Sequence, residues 1–319
     1  MGLGSSRRTV LITGVAGFLG SHLADRLLAE GYEVVGVDNL MTGDLRNLHS
    51  AGRDPHFHFQ IGDVRENIAA YAEVVFNLAC PASPQHYQSD PYATITTSFL
   101  GAMRLAEYAR LRKCRIIHAS TSEVYGDPLE HPQTESYWGH VNPIGERACY
   151  DEGKRAAETV LMDARRMHGA DVRIMRIFNT YGPRMALNDG RVVSNFIRQA
   201  ILGEPITIYG DGSQSRSFCF VSDLIEGIVR LADADMSKLE TPIVNLGNPR
   251  EMTMIELAEA VMACAGKVDL VRKPLPADDP RRRCPNISLA KSLFDFTPKV
   301  PLEQGIALTY ADFKTRVGK

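Results

Sequence analysis

Long apolar runs are missing from this sequence. No window approaches the roughly 18 consecutive apolar residues of a helical membrane span. The start, MGLGSSRRTVLIT, carries no apolar stretch ahead of the first strand that would read as a targeting signal. Met1-Gly2 with Ser6 fits the N-myristoylation pattern in form only, because the segment runs straight into a buried strand. A strong charge of one sign is missing too. The 36 Lys and Arg against 38 Asp and Glu leave a formal net charge of -2, so no overall basic field attracts nucleic acid or an anionic membrane. The six cysteines, Cys80, Cys114, Cys149, Cys219, Cys264 and Cys284, form no C-x-x-C pair and none stands at zinc-ligand spacing with a histidine. They read as reduced thiols of a cytoplasmic protein with no metal site. Internal repeats and low-complexity tracts are absent.

What is present is a chain of 319 residues, 44% hydrophobic and 23% charged, which suits one large α/β unit with a smaller second lobe. In the first half, strand-like and helix-like segments alternate. Strands are predicted at Val10–Thr13, Glu33–Val37, Phe57–Ile61, Val74–Ala79, Arg115–Ser120 and Val172–Ile177. Helices are predicted after the first strand (Leu19, Leu23, Leu27 and Leu28 on one face), at Ala93–Leu111 and at Tyr150–His168. This alternation implies a doubly wound parallel sheet of Rossmann type, covered on both faces. The second half has more prolines and turn signals. Ser222–Ala232 and Ile243–Gly247 read as a helix and a strand that return to the first lobe. The expected division is a dinucleotide-binding domain at 1–180, with 217–249 returning to it, and a discontinuous smaller lobe mainly within 181–319.

Residues 10–20, VLITGVAGFLG, place Gly14, Gly17 and Gly20 between a strand and a helix, where a pyrophosphate needs a tight turn, close backbone approach and close helix packing. The helix N-terminus adds free N–H groups and a partial positive charge. Asp38, at the end of the second strand, can accept hydrogen bonds from adenosine ribose hydroxyls and would repel the extra phosphate of NADP, so the cofactor reads as NAD. Asp63-Val64, after the third strand, are candidates to contact the adenine, although Asp63 reads equally as a helix cap.

Tyr150 and Lys154 form Y-x-x-x-K and share a helix face if helical. An ammonium beside a phenol favours the phenolate and would lower a pKa that starts near 10. Residues 119–126, ASTSEVYG, put the Thr121 hydroxyl at the C-terminal edge of the sheet, where it could share the proton of a substrate alcohol with Tyr150. Together these point to hydride transfer with proton abstraction from a carbinol.

The runs TGVAGFLGSHL, STSEVYGDP, YDEGKRAAE and RIFNTYGPRM resemble the extended short-chain dehydrogenase/reductases. NLACPASPQHYQSDP (77–91), HPQTESYWGHVNPIGERACYDEGKR (131–155), RIFNTYGPRMALNDGRVVSNFI (176–197) and GDGSQSRSFCFVSDL (210–224) are similar, more closely, to the UDP-glucuronate decarboxylase (UDP-xylose synthase) family. Epimerases and dehydratases keep the short motifs but lack WGHVNPIGERACYDEGKR. The resemblance implies decarboxylation of UDP-glucuronate to UDP-xylose through a UDP-4-keto intermediate, with NAD as a recycled hydride carrier. It implies catalytic roles for Thr121, Glu123, Tyr150 and Lys154. Glu123 would position the sugar or drive off its carboxylate by repulsion. Cofactor contacts are implied at Gly14, Gly17, Phe18, Leu19, Asp38, Asn39, Asp63, Val64, Ala79 and Thr180, besides Tyr150 and Lys154. Substrate contacts are implied at Ser122, Asn179, Arg191, Arg216 and Arg283. Ser122 stands where 4,6-dehydratases carry an aspartate, which argues against dehydration. Cys284 and Asn286 depart from the family pattern beside Arg283, and Cys80 stands where other members can carry serine.

Three alternatives remain: a decarboxylase that releases part of the UDP-4-keto-pentose, a UDP-sugar 4-epimerase, and a non-catalytic NAD-binding scaffold. The last is disfavoured by the intact Thr121, Tyr150 and Lys154. The resemblance further implies a homodimer, joined through the helices at 93–111 and 150–168.

Overall fold

The computed structural model describes residues 7–274 and 282–318. The Met1, Gly2 and Ser6 pattern, and residues 278–281 of the DDPRRRCPNI stretch, lie outside them.

The first part of the chain runs β1 (Thr9–Thr13), α1 (Phe18–Ala29), β2 (Glu33–Asp38), β3 (Phe57–Ile61), β4 (Val74–Asn77), α2 (Pro84–Ser89), α3 (Pro91–Arg112), β5 (Arg115–Thr121), α4 (Ala148–His168) and β6 (Val172–Ile177). There follow β7 (Thr180–Tyr181), α5 (Val192–Leu202), β8 (Ile206–Tyr209), β9 (Ser215–Ser217), β10 (Cys219–Phe220), α6 (Val221–Asp233) and β11 (Ile243–Leu246). The chain closes with β12 (Glu251–Thr253), α7 (Met254–Ala265), β13 (Leu270–Lys273), β14 (Arg282–Arg283), α8 (Ser288–Phe294) and α9 (Leu302–Val317).

Seven strands make one parallel sheet in the order β11-β6-β5-β4-β1-β2-β3. From β1 the chain steps outward to β2 and β3, then crosses to β4 on the other side. The order therefore reverses between β1 and β4, and a crevice opens there beyond the strand ends. Two apolar clusters cover the faces. One gathers Val10, Ile12, Leu23, Leu27, Phe76 and Leu224, and the other Leu11, Val75, Leu105, Ile116, Leu161 and Ile174. Neighbouring strand residues such as Leu11 and Ile12 thus serve opposite faces, as a two-sided sheet requires.

The elements differ from expectation mainly at their ends. α3 begins at Pro91, because proline suits a first helical turn and the Asp90 side chain accepts from Ala93 N–H at 2.9 Å. α4 begins at Ala148 and stops at Gly169, which takes the left-handed conformation at φ 66°. β4 ends at Asn77, two residues before the expected Ala79, where Asn77 Oδ1 accepts from the Thr13 hydroxyl at 2.9 Å. The second half contains β7 with β10, β12 with β9 and β14, and β13 with β8 as three small sheets. β11 returns to the main sheet beside β6.

A buried ionic network ties these parts together. Arg176 on β6 donates to Glu158 on α4 at 2.7 Å, and Glu158 also accepts from the Ser120 hydroxyl. Arg176 donates to the Tyr125 hydroxyl at 3.0 Å, which donates to Asn245 on β11 at 2.8 Å.

Candidate active site

A cleft of about 1400 Å³ opens at the C-terminal ends of the central strands. One wall begins at the turn between β1 and α1. Gly14 has φ 72°, and a Cβ there would stand 2.8 Å from the backbone nitrogen of Ala79, so only glycine fits. Gly17 precedes α1 with no side chain capping the helix, which leaves its first N–H groups for an anion. Gly14, Gly17, Phe18, Leu19 and Thr180 all line the cleft, so the residues fit a bound dinucleotide.

Asp38, Asn39, Asp63, Val64 and Ala79 are not among the lining residues. Both Asp38 carboxylate oxygens already accept backbone N–H groups, from Ala16 at 2.9 Å and from Leu40 at 2.8 Å. The carboxylate thereby ties the glycine turn to the loop after β2. Burial raises the Asp38 pKa, against these two hydrogen bonds. Asn39 donates to Asp63 at 3.0 Å, and Arg65 donates to Asp63 at 2.6 Å. Hydrogen bonding from Arg65 brings the Asp63 pKa down to about 2. Val64 is buried against Gly101, and the Ala79 backbone lies against Gly14. The loop from Leu40 to Asn47 lines the cleft in their place, which no periodicity in the sequence announced.

Tyr150 and Lys154 sit one helical turn apart on α4, both buried and both lining the cleft. The Thr121 hydroxyl hydrogen-bonds Tyr150 and also caps the turn Ser122–Tyr125 by accepting from Glu123 N–H at 3.2 Å. Lys154 Nζ donates to the Ala119 carbonyl at 2.8 Å and lies 5.9 Å from the Tyr150 ring centroid. The expected lowering of the Tyr150 pKa is not found here. Burial pushes it up, with Cys80 adding to the effect, and the ammonium is engaged by Ala119. Tyr87 on α2 stacks on Tyr150 with centroids 5.0 Å apart and planes 7° apart.

The other wall is charged. Glu123 accepts from Arg147 and from both terminal nitrogens of Arg283, with Arg283 Nη2 at 3.1 Å. Burial pushes the Glu123 pKa up, but Arg283 and Arg147 outweigh it and hold it below the usual carboxylate range. Two guanidinium groups compensate this charge, so repulsion of a sugar carboxylate is not what the geometry offers. β14 lies beside β9, which places Arg283 next to Arg216. Arg216 donates to the Ser215 carbonyl at 2.8 Å. Arg191 donates to Asp189 through two nitrogens, Nη2 at 3.1 Å. Ser122, Asn179, Arg191, Arg216 and Arg283 all line the cleft. Sequence reasoning missed Tyr87 and Arg147, although Arg147 stands one helical turn before Tyr150 and Tyr87 lies in PASPQHY. Among the described residues no cluster of His, Cys, Asp or Glu is arranged to hold a metal ion, and no helix is long and apolar enough to cross a membrane.

The parallel sheet, the glycine turn and the Thr121–Tyr150–Lys154 group define an NAD-dependent enzyme of the short-chain dehydrogenase/reductase type. The chain belongs to the NAD dependent epimerase/dehydratase family, whose pattern matches residues 10–247, and within it to the UDP-glucuronic acid decarboxylases. It is 50% identical over 318 residues to UDP-glucuronic acid decarboxylase 1 of Arabidopsis thaliana, covering 99% of this chain and 72% of that protein. Its fold is similar to UDP-glucose 4-epimerase of Thermotoga maritima, solved with UDP-glucose, with a TM-score of 0.87, 28% identity, and coverage of 97% and 99% of the two chains. It is also similar to UDP-glucuronic acid 4-epimerase of Bacillus cereus, solved with UDP-glucuronic acid and NAD, with a TM-score of 0.82, 25% identity, and coverage of 97% and 99%. NAD is the cofactor of this fold and site.

Proposed function

We propose that the chain decarboxylates UDP-glucuronate and yields UDP-xylose, with NAD regenerated in each cycle. The observation that carries this reading is the convergence of the Thr121/Tyr150 hydroxyl pair and the arginine-held Glu123 in one cleft. Bound NAD supplies a hydride acceptor and, later, a hydride donor at C4 of the sugar. Tyr150 takes the C4 hydroxyl proton, with Thr121 sharing it. The ketone at C4 then stands β to the carboxylate on C5. Loss of carbon dioxide leaves an electron pair that spreads onto the C4 oxygen, where the two hydroxyls hold the developing charge. After C5 is protonated, Tyr150 returns its proton to the C4 oxygen. Lys154 holds the nicotinamide ribose, and Ser122 and Glu123 position the sugar. Arg283, with Arg147, orients the carboxylate, while Asn179, Arg191 and Arg216 hold the diphosphate end by charge-assisted hydrogen bonds.

The cofactor residues Gly14, Gly17, Phe18, Leu19 and Thr180 act directly. Asp38, Asn39, Asp63, Val64 and Ala79 act as the frame behind them. We divide the chain into an NAD-binding domain at 1–180, completed by 217–249, and a UDP-sugar lobe in the rest.

The test is turnover of UDP-glucuronate with carbon dioxide, nucleotide sugar and NADH all quantified. Carbon dioxide with UDP-xylose supports the reading. Carbon dioxide with free NADH and a 4-keto pentose assigns the releasing variant. Epimerised UDP-sugar without carbon dioxide overturns it.

Association as a homodimer through α3 and α4 belongs to the same proposal. Tyr92, Ile95, Phe99, Leu100 and Met103 follow helical spacing on α3, and all are exposed, Tyr92 at 85%. A second copy of this surface would cover them. Light scattering should give twice the chain mass. A cytoplasmic location, in keeping with six unpaired cysteines, completes the proposal.

A further inference from the structure

Decarboxylation of a sugar carboxylate consumes one proton. The C5–C6 bond breaks, its electron pair passes into an enolate over C5, C4 and the C4 oxygen, and a C5–H bond then forms. The Tyr150 proton cannot balance this step, because it is taken from the C4 hydroxyl and given back there. Glu123, held ionised between two guanidinium groups, has no proton to give. Arginines do not release theirs near neutral pH.

Among the described residues that line the cleft, Arg184, Arg283 and Tyr87 each carry a buried side-chain atom with no hydrogen-bonding partner. Of these, only the Tyr87 hydroxyl can act as an acid. A buried tyrosine hydroxyl ordinarily finds a partner, and leaving it unmet is costly. Tyr87 is 1% exposed and is fixed through its backbone from two sides. Its carbonyl accepts from the Thr94 hydroxyl on α3 at 3.2 Å and from the Cys149 thiol on α4 at 3.5 Å. Its neighbours in the chain are committed elsewhere. The His86 ring bonds the Ser83 hydroxyl at 2.8 Å, and the Cys80 thiol bonds the Ser98 hydroxyl at 3.1 Å.

The Tyr87 ring lies flat on Tyr150, which serves C4, with centroids 5.0 Å and planes 7° apart. The charges that Tyr87 meets are Arg147, Glu123, Asp151 and Arg283. Arg147 and Arg283 are the groups assigned above to the carboxylate, C6. C5 is bonded to both C4 and C6, so a group set between these two neighbourhoods stands at C5.

We propose that the Tyr87 hydroxyl is the acid that protonates C5 of the sugar. The inference rests on the decarboxylase reading above. The electron pair between C4 and C5 takes the proton, an oxygen pair re-forms the C4 carbonyl, and the broken O–H bond leaves its pair on Tyr87 as phenolate. That phenolate faces Arg147 and Arg283, and it regains a proton from solvent as product leaves. Burial pushes the Tyr87 pKa up, so the phenol keeps its proton until it meets a base as strong as an enolate carbon.

The experiment compares wild type with Tyr87→Phe, which keeps the ring on Tyr150 and removes the acid. With UDP-glucuronate and NAD in heavy water, carbon dioxide, NADH and UDP-xylose are followed, and the C5 deuterium is located by NMR. Wild type should carry deuterium at one of the two C5 positions. Tyr87→Phe should release a first equivalent of carbon dioxide, accumulate NADH, and form UDP-xylose roughly a hundredfold more slowly, with KM little changed. Its product should carry deuterium at both positions. Its unfolding temperature should equal or exceed that of wild type, since only an unpaired oxygen is lost. A marked fall would show that the hydroxyl has a partner in the fold, and would overturn the inference. A wild-type rate with one-sided label in the variant overturns it too, and so does wild type that labels both positions. Equal slowing of every product without NADH build-up would reduce Tyr87 to a support for Tyr150, again overturning it. These outcomes leave decarboxylation standing, whereas wild type that releases no carbon dioxide removes that reading, and the inference with it.

Discussion

The two walls of the cleft are built in opposite ways. The cofactor wall is made of backbone: a left-handed glycine, an uncapped helix start, and a buried Asp38 that bonds N–H groups on both sides of it. The sugar wall is made of charges from distant parts of the chain, Glu123 after β5, Arg147 before α4, and Arg283 on β14. A backbone wall is fixed by which residues are small enough. A charged wall is fixed by pairing, and losing one partner leaves the other buried and uncompensated.

Substitutions can break or sharpen that contrast. The largest effect belongs at the seam between the walls. Tyr150→Phe should lower kcat roughly a thousandfold, with NAD still bound, as followed by turnover beside cofactor titration. Next comes Glu158→Gln, which leaves the Arg176 guanidinium buried without its carboxylate. Unfolding by denaturant should register a loss of about 3–5 kcal/mol, and a loss within experimental error would mean that the network is dispensable. On the sugar wall, Arg283→Ala should cut kcat/KM about a hundredfold through lost charged hydrogen bonds while NAD affinity holds. Equal weakening of NAD and sugar would erase the distinction drawn here. On the cofactor wall, Gly14→Ala should cost about 1–3 kcal/mol of backbone strain and weaken NAD roughly tenfold, leaving binding of the UDP moiety nearly intact by calorimetry.

The smallest effect is at Asp63. Its folded pKa of about 2 lies below the ordinary 3.8, so its contribution to stability is full above 3.8 and lost as pH falls through about 2. The group is near the surface, and Asp63→Asn should cost under about 1 kcal/mol at neutral pH, with the difference closing in acid.

The same contrast explains what the sequence made legible. β1, the glycine turn and α1 are contiguous, and their period changes from strand to helix within a few residues, so local pattern was enough. β3 and β6 fell on their predicted residues because each is a compact strand pattern with clear ends. The strands β7, β9, β10 and β14 have two or three residues each, too few for any period to emerge. α2 is six residues long and opens at Pro84 inside a proline-rich loop, so Tyr87 was hidden with it. Arg283 and Glu123 were both named as candidates, but their pairing was not. The sequence separation between Glu123 and Arg283 leaves only tertiary structure to join them. The Lys154 ammonium was expected beside the phenol and lies 5.9 Å from its ring centroid, but its bond to a carbonyl of β5 is set by packing that the sequence does not display.

The return of β11 to the sheet bears on how the protein is made. On a ribosome, β6 emerges long before its outer neighbour, since the small-sheet strands, α5 and α6 are all translated between them. Until Leu246 is released, the Ile174 to Ile177 edge of β6 is unpaired, and Tyr125 lacks its Asn245 acceptor. A pause in translation within that interval would hold the nascent chain with this sheet edge open to another chain. Placing synonymous slow codons before or after residue 246 should therefore change the soluble yield without altering a single residue.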